Sequence, residues 1–238
     1  MVGRSVDLSI ERVHTDNKQV LLKVDQLTVL DEEKVKALDG VTFELSTGEI
    51  LGVAGVAGSG QKELCEAIAG LYPVLNGQIL YDGDNIILKE YQNNKGLLID
   101  RKPAREKAKK LVKKLDIKTP GINHPVKKLS CGNIQKVLLG REIESNPNLL
   151  ITAYPVRGLD IGSSYTIYDL LNEQKKKGVA VLFIGEDLDV LLELCDRIMV
   201  LCNGKITGIV EAGRTTKDQL GLMMAGERLI PGEAEDIG

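Results

Sequence analysis

Residues 49–71, EILGVAGVAGSGQKELCEAIAGL, constrain the fold more than any other stretch of the chain. A short apolar run at 50–54 reads as a buried strand and leads into a glycine-rich loop. A helical pattern follows, with Leu64, Ala67, Ile68 and Leu71 at 3.6-residue spacing. A strand that passes through glycines straight into a helix is the first half of a parallel crossover. The same rhythm returns downstream, with strands expected at 149–153 and 179–184 and helices at 161–177 and 188–195. Gly178 is the expected C-terminal cap of the first of these helices. A hairpin at 197–201 and 205–210 turns on Asn203-Gly204, and a short helix at 217–225 follows. Strands alternating with helices call for a parallel sheet covered on both faces. Ahead of this core, 20–30 and 35–45 read as antiparallel strands, and Asn76-Gly77 reads as a turn before the short strand GQILYDG. Residues 103–115 form a strongly basic helix with Ala108, Leu111, Val112 and Leu115 on one face; its lysine side reads as a solvated surface.

Composition excludes several classes. Aromatics are 3% of the chain and Trp is absent, so the core is built from Leu, Ile, Val and Ala. The net charge of −3 argues against a general nucleic-acid binder, and the lack of aromatic faces argues against base stacking. No apolar run reaches the ~18 residues of a membrane helix, and the first 16 residues lack a signal-peptide core. Cysteines at 65, 131, 195 and 202 never form C-x-x-C and read as small buried thiols of a reducing compartment. With only His14 and His124, a histidine-based triad or metal site lacks material.

The loop Gly55-Val56-Ala57-Gly58-Ser59-Gly60-Gln61-Lys62 matches the phosphate-binding template G-x-x-x-x-G-K-[ST] at both glycines. Glycines there turn backbone N–H groups toward a phosphate, aided by the helix N-terminus. The cation of the template is replaced by Gln61, and the hydroxyl that holds Mg²⁺ by Lys62.

Three further segments complete a recognisable set: LSCGNIQK at 129–136, RGLDIGS at 157–163 and VLFIGEDLDVLLELCDRIMVLCNGKITG at 181–208. In order and spacing the chain resembles the ATP-binding cassette (ABC) ATPases. LSCGNIQK is similar to their signature motif, in the variant found in the second cassette of tandem simple-sugar and nucleoside importer subunits. RGLDIGS is similar to the D-loop and its following helix. MVGR at the start and LGLMMAG at 220–226 resemble that subfamily's inter-cassette junction and end.

The resemblance implies an α/β fold: a P-loop NTPase core with a parallel sheet, an N-terminal antiparallel β subdomain and a shortened helical subdomain. It divides the chain into a linker (1–18), a nucleotide-binding domain (19–228, with the helical part at 85–147) and a flexible tail (229–238). It implies nucleotide binding at Gly55, Gly58, Ser59, Gly60, Gln61 and Lys62, weakly and through backbone groups at 58–61. It implies that Ser130, Gly132 and Asn133 are presented in trans to ATP held on a partner cassette, with Asp160 at the cassette interface. Expected partners are a second cassette and integral membrane permease subunits, with no nucleic acid, at the cytoplasmic inner face of the cell membrane.

The departures from the family pattern bear on chemistry. Where the family's Walker B strand ends in Asp-Glu, this chain has Ala153-Tyr154, and neither holds a hard cation or takes a proton from water. No His follows the strand ending at Ile184; Gly185-Glu186-Asp187 stands there and reads as a solvated turn. The chain is therefore expected to hold neither a catalytic residue nor a metal ligand in its own site, and to be inactive alone. Cys131 replaces the first glycine of the signature pair. After Asp84 the chain passes directly to Asn85-Ile86-Ile87-Leu88, so the family's next sheet strand and its Gln-containing loop are missing. The alternatives are a genuine deletion and a longer chain, and an intact mass of 25.9 kDa marks the first. The competing functional class is a cassette remnant that binds no nucleotide and serves as an interaction module. Soluble cassettes of translation or DNA repair fit less well, because long arms or coiled-coil insertions are absent.

Overall fold

A computed structural model of the chain describes residues 10–16, 18–82, 84–85 and 101–227. The chain divides into two compact units. One comprises 1–8, 89–147 and 155–170, and the other 9–88, 148–154 and 171–238.

The larger unit holds two sheets. In the first, β1 (Val20–Leu30) lies between β2 (Lys36–Ser46) and β4 (Asn76–Tyr81), with β5 (Asp84–Asn85) beyond β4. All these pairings are antiparallel. The second runs β6 (Leu149–Ala153), β7 (Ala180–Ile184), β3 (Ile50–Ala54), β8 (Arg197–Cys202), β9 (Lys205–Glu211). Its first four strands are parallel and β9 closes it as an antiparallel hairpin. β3 and β7 are buried along their whole length, as continuous apolar runs between covered faces must be. Leu22, Val24, Leu27, Leu38 and Phe43 from the first sheet join Leu51, Val53, Leu182 and Met199 from the second in one apolar core. Among the described residues β6 is an edge strand.

Helix α1 (Gln61–Ile68) buries Leu64, Ala67 and Ile68. The expected fourth member of that face, Leu71, is 75% exposed. The helix ends before it, because Gly70 takes φ +71 and turns the chain away. Asn76-Gly77 is likewise part of β4 rather than a turn. Gly77 sits at φ +92, where a Cβ would lie 2.4 Å from the Gln26 carbonyl, at a register shift between β1 and β4. Asn203 and Gly204 both have positive φ and form the expected two-residue turn between β8 and β9.

Residues 10–16 have no regular structure but are tied to this unit. Thr15 Oγ1 donates to the Gly48 carbonyl at 2.6 Å, Asn172 Nδ2 donates to the Glu11 carbonyl at 3.1 Å, and Arg12 donates to the Leu192 carbonyl. Nearby, Lys175 is fully buried and its Nζ lies 2.7 Å from Asp196 Oδ1. Asp196 Oδ2 accepts the Ile50 N–H at 2.9 Å. This pair ties the end of α4 (Ile161–Lys176) to the starts of β3 and β8.

The smaller unit contains α2 (Arg101–Lys114), α3 (Cys131–Glu144) and the first part of α4. Leu111 of α2 and Leu115, just past its end, pack onto Gly140 of α3, where a Cβ would come within 2.8 Å of both side chains. A glycine at that point lets the two helices approach closely. Helices α2 and α3 fall within the span 85–147 where a helical subdomain is expected, while 86–100 and the acidic tail from 228 onward lie outside the described residues.

Candidate functional site

The glycine loop is shaped by contacts that exclude side chains. Gly60 has φ +100, and a Cβ there would lie 2.5 Å from the Ala37 carbonyl. A Cβ on Gly55 would lie 2.6 Å from both the Leu201 carbonyl and Gln61 Nε2. Gly58, at φ +84, faces open space. Gly204 N–H donates to the Ser59 carbonyl at 3.2 Å, so the hairpin turn supports the loop from behind.

Gln61 does not point outward as a ligand would require. Its residue is 4% exposed, and Nε2 donates to the Val56 carbonyl at 3.1 Å. The same carbonyl accepts the Ser59 N–H at 3.1 Å. The side-chain amide is therefore bonded back into the loop and lies against Gly55. Ser59 Oγ is buried without a hydrogen-bond partner. Lys62 lies on the outer surface of α1, 72% exposed, with Nζ 3.9 Å from Glu66. Its ammonium is thus carried away from the loop rather than substituting for the missing cation.

The carboxyl ends of β6 and β7 supply no metal ligand in compensation. Ala153 is an exposed methyl, and Tyr154, half-buried with φ +51, packs against the apolar core. Asp187 is not simply solvated. Its Oδ1 accepts the N–H groups of Asp189 and Val190, capping α5 (Leu188–Leu194). Among the described residues no three His, Cys, Asp or Glu side chains converge on a point. At the positions where the family pattern carries the Mg²⁺ hydroxyl and the two carboxylates, this chain has Lys62, Ala153 and Tyr154, and Lys62 is turned away from the loop.

The signature region, in the smaller unit, is built differently. Ser130 occupies the N-cap position of α3, but its hydroxyl caps no backbone N–H. Instead Asn133 Nδ2 donates to Ser130 Oγ at 2.8 Å, while Asn133 Oδ1 accepts the Lys118 N–H at 2.9 Å. The Lys118 donor fixes the amide orientation, since only the oxygen can accept it. Ser130 Oγ therefore receives a hydrogen bond, and among the described residues its own O–H donates to no protein acceptor. Asn133 is thus hydrogen-bonded within the unit through both its amide oxygen and its amide nitrogen.

Gly132 is the tightly packed glycine of this turn. A Cβ there would meet Ser163 Oγ at 3.1 Å, whereas Cys131 is exposed. That difference accounts for a cysteine at 131 beside a retained glycine at 132. Ser163 is a residue that motif reading missed. Its N–H and Oγ–H donate to the two carboxylate oxygens of Asp160 at 2.9 and 2.7 Å. These bonds hold the Asp160 carboxyl below the usual range, the Ser163 hydroxyl contributing most. The signal was available, because a serine three residues after an aspartate is a helix-start pattern.

A family model described as ABC transporter matches residues 38–155. The guanosine import ATP-binding protein NupO of Bacillus subtilis (strain 168) is 33% identical over 264 aligned residues, covering 95% of this chain and 52% of that protein. The chain belongs to the ABC transporter ATP-binding family. The xylose import ATP-binding protein XylG of Moorella thermoacetica is also 33% identical, covering 92% of this chain and 51% of its own length. The chain thus spans about half the length of the curated relatives it matches. The NupO alignment is longer than the 238 residues of this chain, so part of the relative faces gaps here. A nucleotide-free ATP-binding cassette from an ABC transporter superposes with a TM-score of 0.74 at 22% identity, covering 85% of this chain and 96% of that one. The ADP conformation of MJ1267, another ABC cassette, gives 0.71 at 20%, covering 87% and 95%. The cassette fold, with its antiparallel and parallel sheets, is the one the sequence implied. Among the described residues no helix is long and apolar enough to cross a membrane.

Proposed function

We propose that this chain is the degenerate second cassette of a tandem importer ATPase. It presents Ser130 and the Gly132 N–H to ATP held on a partner cassette, while its own loop turns nothing over. The observation that carries this reading is the contrast between the two motifs. Gln61 is folded into its own glycine loop, whereas the Ser130 hydroxyl accepts from Asn133 and, among the described residues, donates to no protein acceptor. The first four N–H groups of a helix lack partners within it, and Ser130 caps none of those of α3 with its side chain. A hydroxyl and backbone donors at one helix start suit a phosphate. Asp160, anchored by Ser163, stands at the cassette interface. The relatives' names support a simple-sugar or nucleoside solute, with permease subunits as the other partners and the inner face of the membrane as the location. In its own site ATP binds weakly through backbone groups at 58–61, without Mg²⁺.

The test is the ATPase rate of the chain assembled with an intact partner cassette. Ser130→Ala removes one preorganised donor and should lower turnover by ~10²–10³-fold. Gln61→Ala should change it little. If Gln61→Ala is the more damaging, the assignment of working and silent sites is reversed. The seat of Gln61 also favours a second reading, a cassette that binds no nucleotide in either site. ATP that fails to raise the unfolding temperature of the assembled pair would select it, because a ligand specific to the native state must stabilise it.

A further inference from the structure

We propose that the exposed face of α2 is an electrostatic docking surface for the anionic phospholipid headgroups of a membrane. The inference is independent of the cassette pairing above, since it concerns a lipid surface and not a nucleotide.

The chain is strongly polarised in charge. Residues 101–136 carry 12 Lys and Arg against two Asp and Glu, while the remainder carries 19 against 32. By unit, the smaller has 17 basic and 9 acidic residues and the larger 14 and 25. An anionic surface therefore attracts one unit and repels the other.

On α2 the apolar side is already used, because Leu111 and Leu115 pack on Gly140. Arg105, Lys109, Lys110, Lys113 and Lys114 are exposed on the remaining circumference. Only two acids lie nearby in sequence, and both are paired: Glu106 with Lys109 and Asp116 with Lys118. Lys127 and Lys128, on the turn before α3, add two more exposed cations to the same unit.

The composition favours lipid over other anions. Ten of the 12 cations are lysines, point charges without the planar fork that arginine offers a fixed carboxylate or phosphate. Residues 101–136 contain no Phe, Tyr or Trp and a single His, so bases find little stacking platform. Clusters of four to eight basic residues on a helix are attracted to anionic leaflets within a Debye length. With the apolar face of α2 occupied by α3, the contact is adsorption rather than insertion.

The experiment is co-sedimentation of the full chain with vesicles of phosphatidylcholine alone, and of phosphatidylcholine with about one-third phosphatidylglycerol. The chain should bind the second and not the first, and 0.5–1 M salt, at roughly a 3–4 Å Debye length, should release it. The variant Lys110→Gln, Lys113→Gln, Lys127→Gln, Lys128→Gln should lose binding by about tenfold or more. The control Lys176→Gln, Lys177→Gln, in the larger unit, should retain it. Binding to neutral vesicles, no binding to either, or full binding by the fourfold variant overturns the proposal. So does retention on double-stranded DNA where anionic vesicles retain none, which would reassign the face to nucleic acid. Salt-sensitive self-association without vesicle binding would reassign it to a second copy of the chain.

Discussion

The side-chain amide of Gln61 donates to the Val56 carbonyl at 3.1 Å, and it does so while lying against Gly55. A lysine at this position would put a mobile cation in the loop. Glutamine instead puts a neutral group there that the loop itself binds. The amide is thereby bonded into the backbone of its own glycine loop.

The purified chain should therefore release no phosphate from Mg²⁺-ATP above background. Combining Gln61→Lys, Lys62→Ser, Ala153→Asp and Tyr154→Glu restores the named groups and should still give no useful rate. β6 remains an edge strand among the described residues, and small misplacements of a reacting water cost orders of magnitude. This expectation holds where the intact mass is 25.9 kDa; a monomer of that mass that hydrolyses ATP after the four changes would show the family's next strand and loop to be dispensable.

Lys175→Met should destabilise the fold by roughly 3–5 kcal/mol, since it strands Asp196 in a nearly closed site. Lys18, 3.8 Å from Asp196 and partly exposed, offers only weak compensation. Adding Asp196→Asn removes the stranded charge while keeping an acceptor for the Ile50 N–H, so part of the loss should return. Chemical denaturation of the single and double variants measures both.

Asp160 gives a pH dependence with a definite sign. Its folded-state carboxyl is held below the ordinary value of about 3.9 by Ser163. Its contribution is present above that value and is lost as pH falls through the lowered one. The unfolding temperature of Asp160→Ala should lie below the wild type at neutral pH, and the gap should close in acid. A gap independent of pH would mean the cap does not depend on charge.

Thiol labelling should rank the cysteines. Cys131 is exposed and should react first. Burial pushes the Cys65 thiol up to about 12 and raises Cys195 as well, so the half-buried Cys65 should react more slowly than Cys131 and the fully buried Cys195 only on unfolding. Mass spectrometry after a brief alkylation checks this, and labelling of Cys195 before Cys131 would contradict the packing.

What was legible in the sequence was local. The strand–loop–helix at 50–68 and the Asn203-Gly204 hairpin follow from periodicity and turn chemistry within a few residues. Leu71 misled because its spacing was right while Gly70 had already ended the helix. Lys175 and Asp196 were invisible, since residues 21 apart meet only once the sheet has formed. The seat of Gln61 was also hidden. A substitution shows that a lysine is gone, and the folded loop shows what its replacement does.

Ser163 closes two motifs with one side chain: its hydroxyl bonds Asp160, and its atoms bound the space around Gly132. A larger residue at 163 presses on the signature turn, and one without a hydroxyl loosens the aspartate. Positions 132, 160 and 163 are therefore coupled through one hydroxyl, so substitutions at any two of them should combine non-additively in stability.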